Sequence, residues 1–438
     1  MKYEPLDLSL VGTGSQDIGT GESSIKGVGR VFHYGSHTLE THFLFLGGTG
    51  TGKTNAIFQF VRQIKDALRQ DDLMIVFDTK GDYSAEFRDP SRRDILISAN
   101  SGQDANAEAI WNVFEDAKAD GEENWDQNCN EIARTIFDEK IHASKDPFFP
   151  EAASDIVRVV MLALLRTSSQ SRRSATNSDL RRVLDSPNPD VITALLKPYP
   201  DLQGPLQYIS QPTGQTQGVL SVVQSAMGDF FQGAFAESGS FSVRNFVRAR
   251  GAKTLFIRYD LRWGRVLTPV YRLLIDLAIK ESLGSRPGKG NVFFVIDEFG
   301  LLPNLYHIDD GINFGRGQGV KFLVGTQNTS QILQAYGDGR GKSILSNFGT
   351  LFAFRLNDQE SRDLVSSRYG SYQVNVRLPS PIPNEPLSSQ IVEAKVLSDL
   401  GISLLRNGQC IVCPSGAAPQ VMQFDLYQKQ NRSKQASG

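Results

Sequence analysis

The stretch THFLFLGGTGTGKTNAIFQF, Thr41 to Phe60, decides how the rest of the chain is read. Phe43 to Leu46 are a short apolar run with the length and flanks of a buried strand. Gly47, Gly52, Lys53 and Thr54 then satisfy G-x-x-x-x-G-K-[ST], and Asn55 onward reads as a helix to about Gln70. Strand, glycine-rich loop and helix in that order form a phosphate cradle. Glycines let the backbone of Gly47, Gly48, Thr49, Gly50, Thr51 and Gly52 wrap so that N–H groups face phosphate oxygens. The helix N-terminus adds positive potential, Lys53 reaches the β- and γ-phosphates, and the Thr54 hydroxyl completes a Mg²⁺ shell. The expected ligand is a nucleoside triphosphate, ATP, with Mg²⁺.

Working outward, Leu73 to Phe77 form a second buried strand ending at Asp78, and Ile95 to Ile97 a third. Strand patterns then nearly vanish. From residue 105 to 228 the text is helical, as in Ala153 to Leu165, where apolar residues recur at helical spacing. Thr254 to Tyr259 restore the strand pattern. Asn291 to Ile296, Lys321 to Gly325 and Leu351 to Arg355 continue it, and Gln409 to Val412 with Val421 to Phe424 close the sheet. The expected fold is α/β: a P-loop nucleotide-binding domain with a mostly parallel sheet, interrupted by an inserted all-α domain. The expected division is a flexible arm over 1–24, the first part of the nucleotide domain over 25–104, the all-α insertion over 105–228, the second part over 229–428 and a disordered tail over 429–438. Residues 371–390, rich in Pro and Ser, read as a surface loop.

Three strands end in an acidic residue: Asp78, Asp260 and Asp297. Val292-Phe-Phe-Val-Ile-Asp297-Glu298 is the strongest Walker B candidate, because its apolar run leads directly into adjacent carboxylates. Asp297 would hold Mg²⁺ through water and Glu298 would act as general base on the attacking water. Asp78 lacks the second carboxylate, and Arg258 interrupts the run before Asp260. Gln327 ends the following strand, where its amide could bond the γ-phosphate or the lytic water; by itself it is weak evidence and reads first as an ordinary loop glutamine. Arg316, in a glycine-flanked turn, could reach a neighbouring subunit's nucleotide or simply face solvent.

Across its 438 residues the chain carries a net charge of −2, so it lacks the overall basic excess of many nucleic-acid binders. Any DNA footprint must be local. Candidate basic clusters are Arg88 with Arg92 and Arg93, Arg172 and Arg173 with Arg181 and Arg182, which reads first as a solvated face of the helical insertion, and Arg244, Arg248 and Arg250 with Lys253. Cys129, Cys410 and Cys413 make no disulfide framework and read as small core residues. No run reaches the roughly 18 apolar residues that span a bilayer. A cytoplasmic location is expected, with any attachment to the inner membrane through partners or a missing anchor.

Taken together, these motifs resemble the ATPase of type IV secretion coupling proteins, the TraD/TraG-like conjugation motors in the FtsK/HerA group of RecA-like ATPases. The resemblance runs over about residues 38–370. It is carried by Gly47–Thr54, Val76-Phe-Asp78-Thr-Lys-Gly81-Asp82, Ile296-Asp-Glu-Phe-Gly-Leu-Leu-Pro303, Gly315-Arg-Gly-Gln-Gly319, Gly325-Thr-Gln327, Asn347 to Phe354 and Asp358 to Arg362. It implies Lys53 and Thr54 at the nucleotide, Asp297 and Glu298 as the Walker B pair, Gln327 as a sensor and Arg316 as a finger acting in trans. It also implies a homo-oligomer, a hexameric ring, that passes single- or double-stranded DNA, with a relaxase-like protein, toward secretion-channel components. Two features depart from the family: this chain has no transmembrane helix of the kind coupling proteins usually begin with, and Asp82 stands where Glu is common. A HerA-like translocase serving a nuclease or defence system, and a nucleotide-gated cargo adaptor, are the alternatives.

Overall fold

A computed structural model describes residues 23–27, 30–34, 36–100, 109–171, 173–284, 290–378 and 388–428. The expected arm, apart from Ser23 and Ser24, lies outside the described residues, as do the expected tail and Arg172. The strands are β1 (Ser23–Gly27), β2 (Arg30–Tyr34), β3 (Phe43–Leu46), β4 (Leu73–Asp78), β5 (Ile95–Ser98), β6 (Lys253–Arg258) and β7 (Val292–Ile296). After them come β8 (Val320–Thr326), β9 (Thr350–Ala353), β10 (Ser371–Leu378), β11 (Ser388–Lys395), β12 (Gln409–Cys413) and β13 (Gln420–Gln423). The chain divides into two compact units, one of residues 1–67, 294–303 and 321–438, the other of 68–293 and 304–320.

In the first unit the strand order is β13-β12-β9-β3-β8-β7. β3 pairs parallel with both β8 and β9, and β12 closes antiparallel on β9 and β13. All four β3 residues are buried, as a central parallel strand covered on both faces requires. The helix Lys53–Ala67 packs its buried face, Ala56, Ile57, Phe60, Val61 and Ile64, at helical spacing. Phe60 meets Phe43 and Phe45 edge-on, and Phe45 stacks on Phe352 of β9 with centroids 4.6 Å apart. This aromatic layer seats the P-loop strand and helix together. Cys410 and Cys413 on β12 are buried and free, as expected of core residues, and burial pushes the Cys413 thiol up to about 12.

The segment 371–390 departs from expectation. Ser371–Leu378 and Ser388–Lys395 form an antiparallel ladder rather than a loop. The alternation in Tyr372-Gln-Val374-Asn-Val376 has the period of a strand, while Pro379, Pro381, Pro383 and Pro386, which cannot donate to a ladder, all fall between the two strands. Overall proline content concealed that separation.

In the second unit β4 and β5 each pair parallel with β6, giving the order β4-β6-β5. Between Val113 and Ala249 the regular elements are helices, among them Trp125–Ala143, Phe148–Ser171 and Gly214–Phe230. A buried polar knot ties this part to the helix Gly264–Leu283. Asp116 accepts from Trp111 Nε1 (2.6 Å), Ser242 Oγ (2.7 Å) and Arg244 N (2.8 Å). Arg244 and Arg248 each pair with both Asp120 and Glu281. The expected DNA-facing cluster Arg244, Arg248, Arg250 and Lys253 is thus corrected. Arg244 and Arg250 are buried, Arg248 is committed to carboxylates, and Lys253 lies 4.1 Å from the Phe246 ring centroid. Arg173 and Arg182 both pair with Asp179, and Arg181 with Asp185. Charge runs in a sequence do not reveal which charges are already matched. No helix among the described residues is long and apolar enough to cross a membrane.

Candidate functional site

The glycine-rich loop leaves β3 and turns into the helix Lys53–Ala67. Two of its glycines are required by close approach. A Cβ on Gly47 would lie 2.6 Å from Phe354 Cβ, and one on Gly52, which has φ +109°, would lie 3.0 Å from Gly408 Cα. Gly48 N donates to Arg355 O (3.1 Å), Thr51 Oγ1 to Gly48 O (2.8 Å), and Gly408 N to Thr51 O (2.9 Å). These bonds hold the loop curved. Inside the curve the buried Lys53 ammonium donates to the carbonyls of Gly47 and Gly48, the latter at 3.1 Å.

The five residues of β7 are buried, and the chain emerges from them at Asp297. Thr54 Oγ1 donates to Asp297 Oδ2 at 2.8 Å, so the two residues expected to share a metal are already adjacent. A Cβ on Gly325 of β8 would fall 2.3 Å from Asp297 O, so the neighbouring strand must be bare there. Glu298 Oε2 accepts from Gln327 Nε2 at 2.9 Å, and Gln327 Oε1 accepts from Thr49 Oγ1 at 3.3 Å. One chain of bonds therefore runs from the tip of the glycine-rich loop through Gln327 to Glu298.

Sequence reading missed what holds Gln327. Gln331 Oε1 accepts from Gln327 N and from Thr326 Oγ1, both at 3.1 Å. Gln331 sits in the helix Thr329–Tyr336, whose Tyr336 hydroxyl donates to Leu302 O at 2.5 Å and whose Tyr336 ring stacks on Phe299. The i, i+4 spacing of the two glutamines was the available signal. Also missed was the segment after β13. Asn55 bonds the backbone of Asp425 and Tyr427, Gln59 bonds Asp425 O, and Arg62 Nε and one terminal nitrogen donate to the Tyr427 hydroxyl at 3.0 and 2.8 Å. Some 370 residues of chain separate those partners, and no local pattern links them.

The other candidates are placed differently. Asp78, buried, takes Ser84 N (2.8 Å) and Ser84 Oγ (2.6 Å), the work of a carboxylate at the start of the helix Asp82–Phe87. Asp260 bonds Asn100 and the backbone of Arg262. Arg316 belongs to the second unit, where it is exposed on the short turn Gly315–Gln318.

A glycine-rich loop between a buried parallel strand and a helix, a Lys-Thr pair opening that helix, and a carboxylate pair at a second strand end define a RecA-like P-loop nucleotide-binding fold. Residues 28–378 match the family model described as the type IV secretion-system coupling protein DNA-binding domain, and the chain belongs to that family. It is 26% identical over 212 residues to the protein VirD4 of Rhizobium radiobacter, covering 45% of this chain and 29% of that protein. It is 21% identical over 338 residues to the coupling protein TraD of Escherichia coli (strain K12), covering 75% of this chain and 44% of that protein. The chain thus spans less than half the length of these two relatives. Among solved structures, the unbound bacterial conjugative coupling protein TrwBdeltaN70 superposes with a TM-score of 0.71 at 18% identity over 93% of this chain and 90% of that one. The plasmid coupling protein TrwB in complex with ADP and Mg²⁺ superposes with a TM-score of 0.69 at 19% identity over 91% and 88%.

Proposed function

We propose that this chain is the ATP-hydrolysing motor portion of a type IV secretion coupling protein, working as a hexameric ring on DNA, with a relaxase-like protein and secretion-channel components as partners. The observation that carries this reading is the bond chain Thr49–Gln327–Glu298 beside the Thr54–Asp297 pair, within a chain of this family. In the proposed division residues 25–104 and 229–428 make the nucleotide domain and 105–228 an all-α domain that meets substrate.

The residues present fit ATP and Mg²⁺. The cradle formed by Gly47 to Gly52 is too tight for side chains at Gly47 and Gly52, and its lysine is turned inward onto loop carbonyls. Thr54 and Asp297 would hold Mg²⁺, which supplies positive charge to the phosphate oxygens. Lys53 exchanges its carbonyl acceptors for β- and γ-phosphate oxygens. Glu298 accepts a proton from water, and Gln327, already bonded to Glu298, orients that water. Arg316 of a neighbouring copy would offset charge at the γ-phosphate, which makes turnover depend on assembly.

ATPase activity measured against protein concentration, with and without DNA, tests the reading. Specific activity that rises with concentration and with DNA is expected. Activity that stays proportional to protein and ignores DNA would sink it.

A further inference from the structure

β6 ends at Arg258, and the chain runs Tyr259-Asp-Leu-Arg-Trp-Gly-Arg265 into the helix Gly264–Leu283. This is the carboxyl end of the parallel set β4-β6-β5, the side on which open α/β sheets gather ligands. A cavity of about 350 Å³ opens there, with Lys80, Asn100, Arg258, Asp260 and Arg262 in its wall. None of these cations belongs to the basic clusters that stand out in the sequence.

The loop is held from below. A Cβ on Gly264 would fall 2.1 Å from the Tyr259 ring, so only glycine allows the ring to lie there. Tyr259 packs on Tyr271 with centroids 5.2 Å apart, and the Asp260 N–H donates to the Tyr271 hydroxyl at 3.2 Å. The Asp260 carboxylate takes the Arg262 N–H at 2.8 Å and the Asn100 amide. Anchored this way, the loop turns its large side chains outward: Leu261 is 74% and Trp263 49% exposed. Arg262, Arg265 and Lys80 are exposed as well. The Arg258 guanidinium lies over Gly81, where a Cβ would be 2.4 Å from it, next to Lys80 in the chain. The Arg262–Asp260 ion pair, at 3.4 Å, is loose and solvated on the arginine side and gives way to a phosphate at little cost.

Cations spread around a half-exposed indole on a rigid loop match one chemistry well. Guanidinium and ammonium groups meet phosphates, while an aromatic face stacks on an unpaired base. A duplex hides its base faces and would leave the indole idle. We propose that the Asp260–Arg265 loop, with Lys80 and Arg258, is a contact site for single-stranded DNA, with Trp263 stacking on a base. This rests on the DNA reading above and adds to it where, and in which strandedness, the polymer is held.

Fluorescence anisotropy of labelled oligo(dT) and of a duplex of equal length, titrated with the full chain, tests the site. Trp263→Ala should weaken oligo(dT) by about tenfold, Trp263→Phe should recover most of that, and duplex affinity should change less. Replacing Arg262 and Arg265 by Gln should lower the slope of log affinity against log salt by about 0.7 for each lost phosphate contact. Binding of a fluorescent ATP analogue, unchanged in all variants, reports that the fold is intact. Wild-type oligo(dT) affinity in Trp263→Ala, or an equal loss on duplex, overturns the site while leaving the motor reading standing. A wild-type chain that hydrolyses ATP but binds neither DNA overturns both. A changed oligomer mass in Trp263→Ala with unchanged oligo(dT) affinity assigns the loop to contact between copies instead.

Discussion

The proposed nucleotide site in one unit and the polar knot in the other use the same residue types to opposite ends. Asp116, Asp120, Glu281, Arg244 and Arg248 match one another's charges and donors internally, and the knot stiffens a helical body. At the nucleotide site Lys53 is held by loop carbonyls, and Asp297 and Glu298 by a hydroxyl and an amide. A hydroxyl, an amide and backbone carbonyls are partners that a phosphate, a metal ion or water can displace. The guanidinium–carboxylate pairs of the knot are matched charge to charge. The contrast also separates Asp78 from Asp297, two strand-end aspartates, since Asp78 serves the start of its own helix while Asp297 faces Thr54 across 243 residues.

Four substitutions bear on that contrast. The largest effect is expected from Glu298→Gln, which should keep ATP-analogue binding and cut turnover by about 10²-fold or more, read as kcat in a steady-state assay. Full residual hydrolysis would show that another group is the base. Asp116→Ala should leave nucleotide affinity alone and lower stability by about 3 kcal/mol in a denaturant titration, because buried donors from Trp111, Ser242 and Arg244 lose their acceptor. A loss of nucleotide binding with unchanged stability would break the division between the two regions. Gln331→Leu should reduce kcat by about fivefold to tenfold with little change in nucleotide affinity, since it releases the backbone of Gln327 without touching the loop.

The smallest effect concerns His307. Its Nδ1 lies 2.8 Å from Asp276 Oδ2, and although burial opposes the charge, the Asp276 carboxylate raises the imidazole above its usual range. A raised folded value means the stabilisation is fully present below the ordinary histidine pKa of 6.5 and is lost as pH rises through the folded value. His307→Asn should remove that slope from a plot of stability against pH. A slope of the opposite sign in the wild-type chain would contradict the pairing.

The sequence carried the glycine-rich loop, the apolar strand leading into Asp297 and Glu298, and the α/β order because each is a local pattern: apolar runs of strand length, glycines at fixed offsets, carboxylates at a strand end. It also placed Gln327 beside the site, though not as a partner of Glu298. Two local readings went astray for one reason, that composition was averaged over a window. Prolines confined to 379–387 disguised a hairpin, and arginines already matched to Asp120 and Glu281 were counted as a candidate DNA cluster.

By itself, then, the chain's sequence determined the strand, glycine-rich loop and helix around Gly47–Thr54 and the apolar strand that leads into Asp297. Tertiary structure alone decided the rest: that Thr49 and Glu298 share Gln327, that residues 425–427 return to the P-loop helix, and that Trp263 faces outward. Backbone preferences act over a few residues and are legible in order. Which charges neutralise each other, and which remain for a ligand, depends on distances between residues hundreds of positions apart, and only packing sets those.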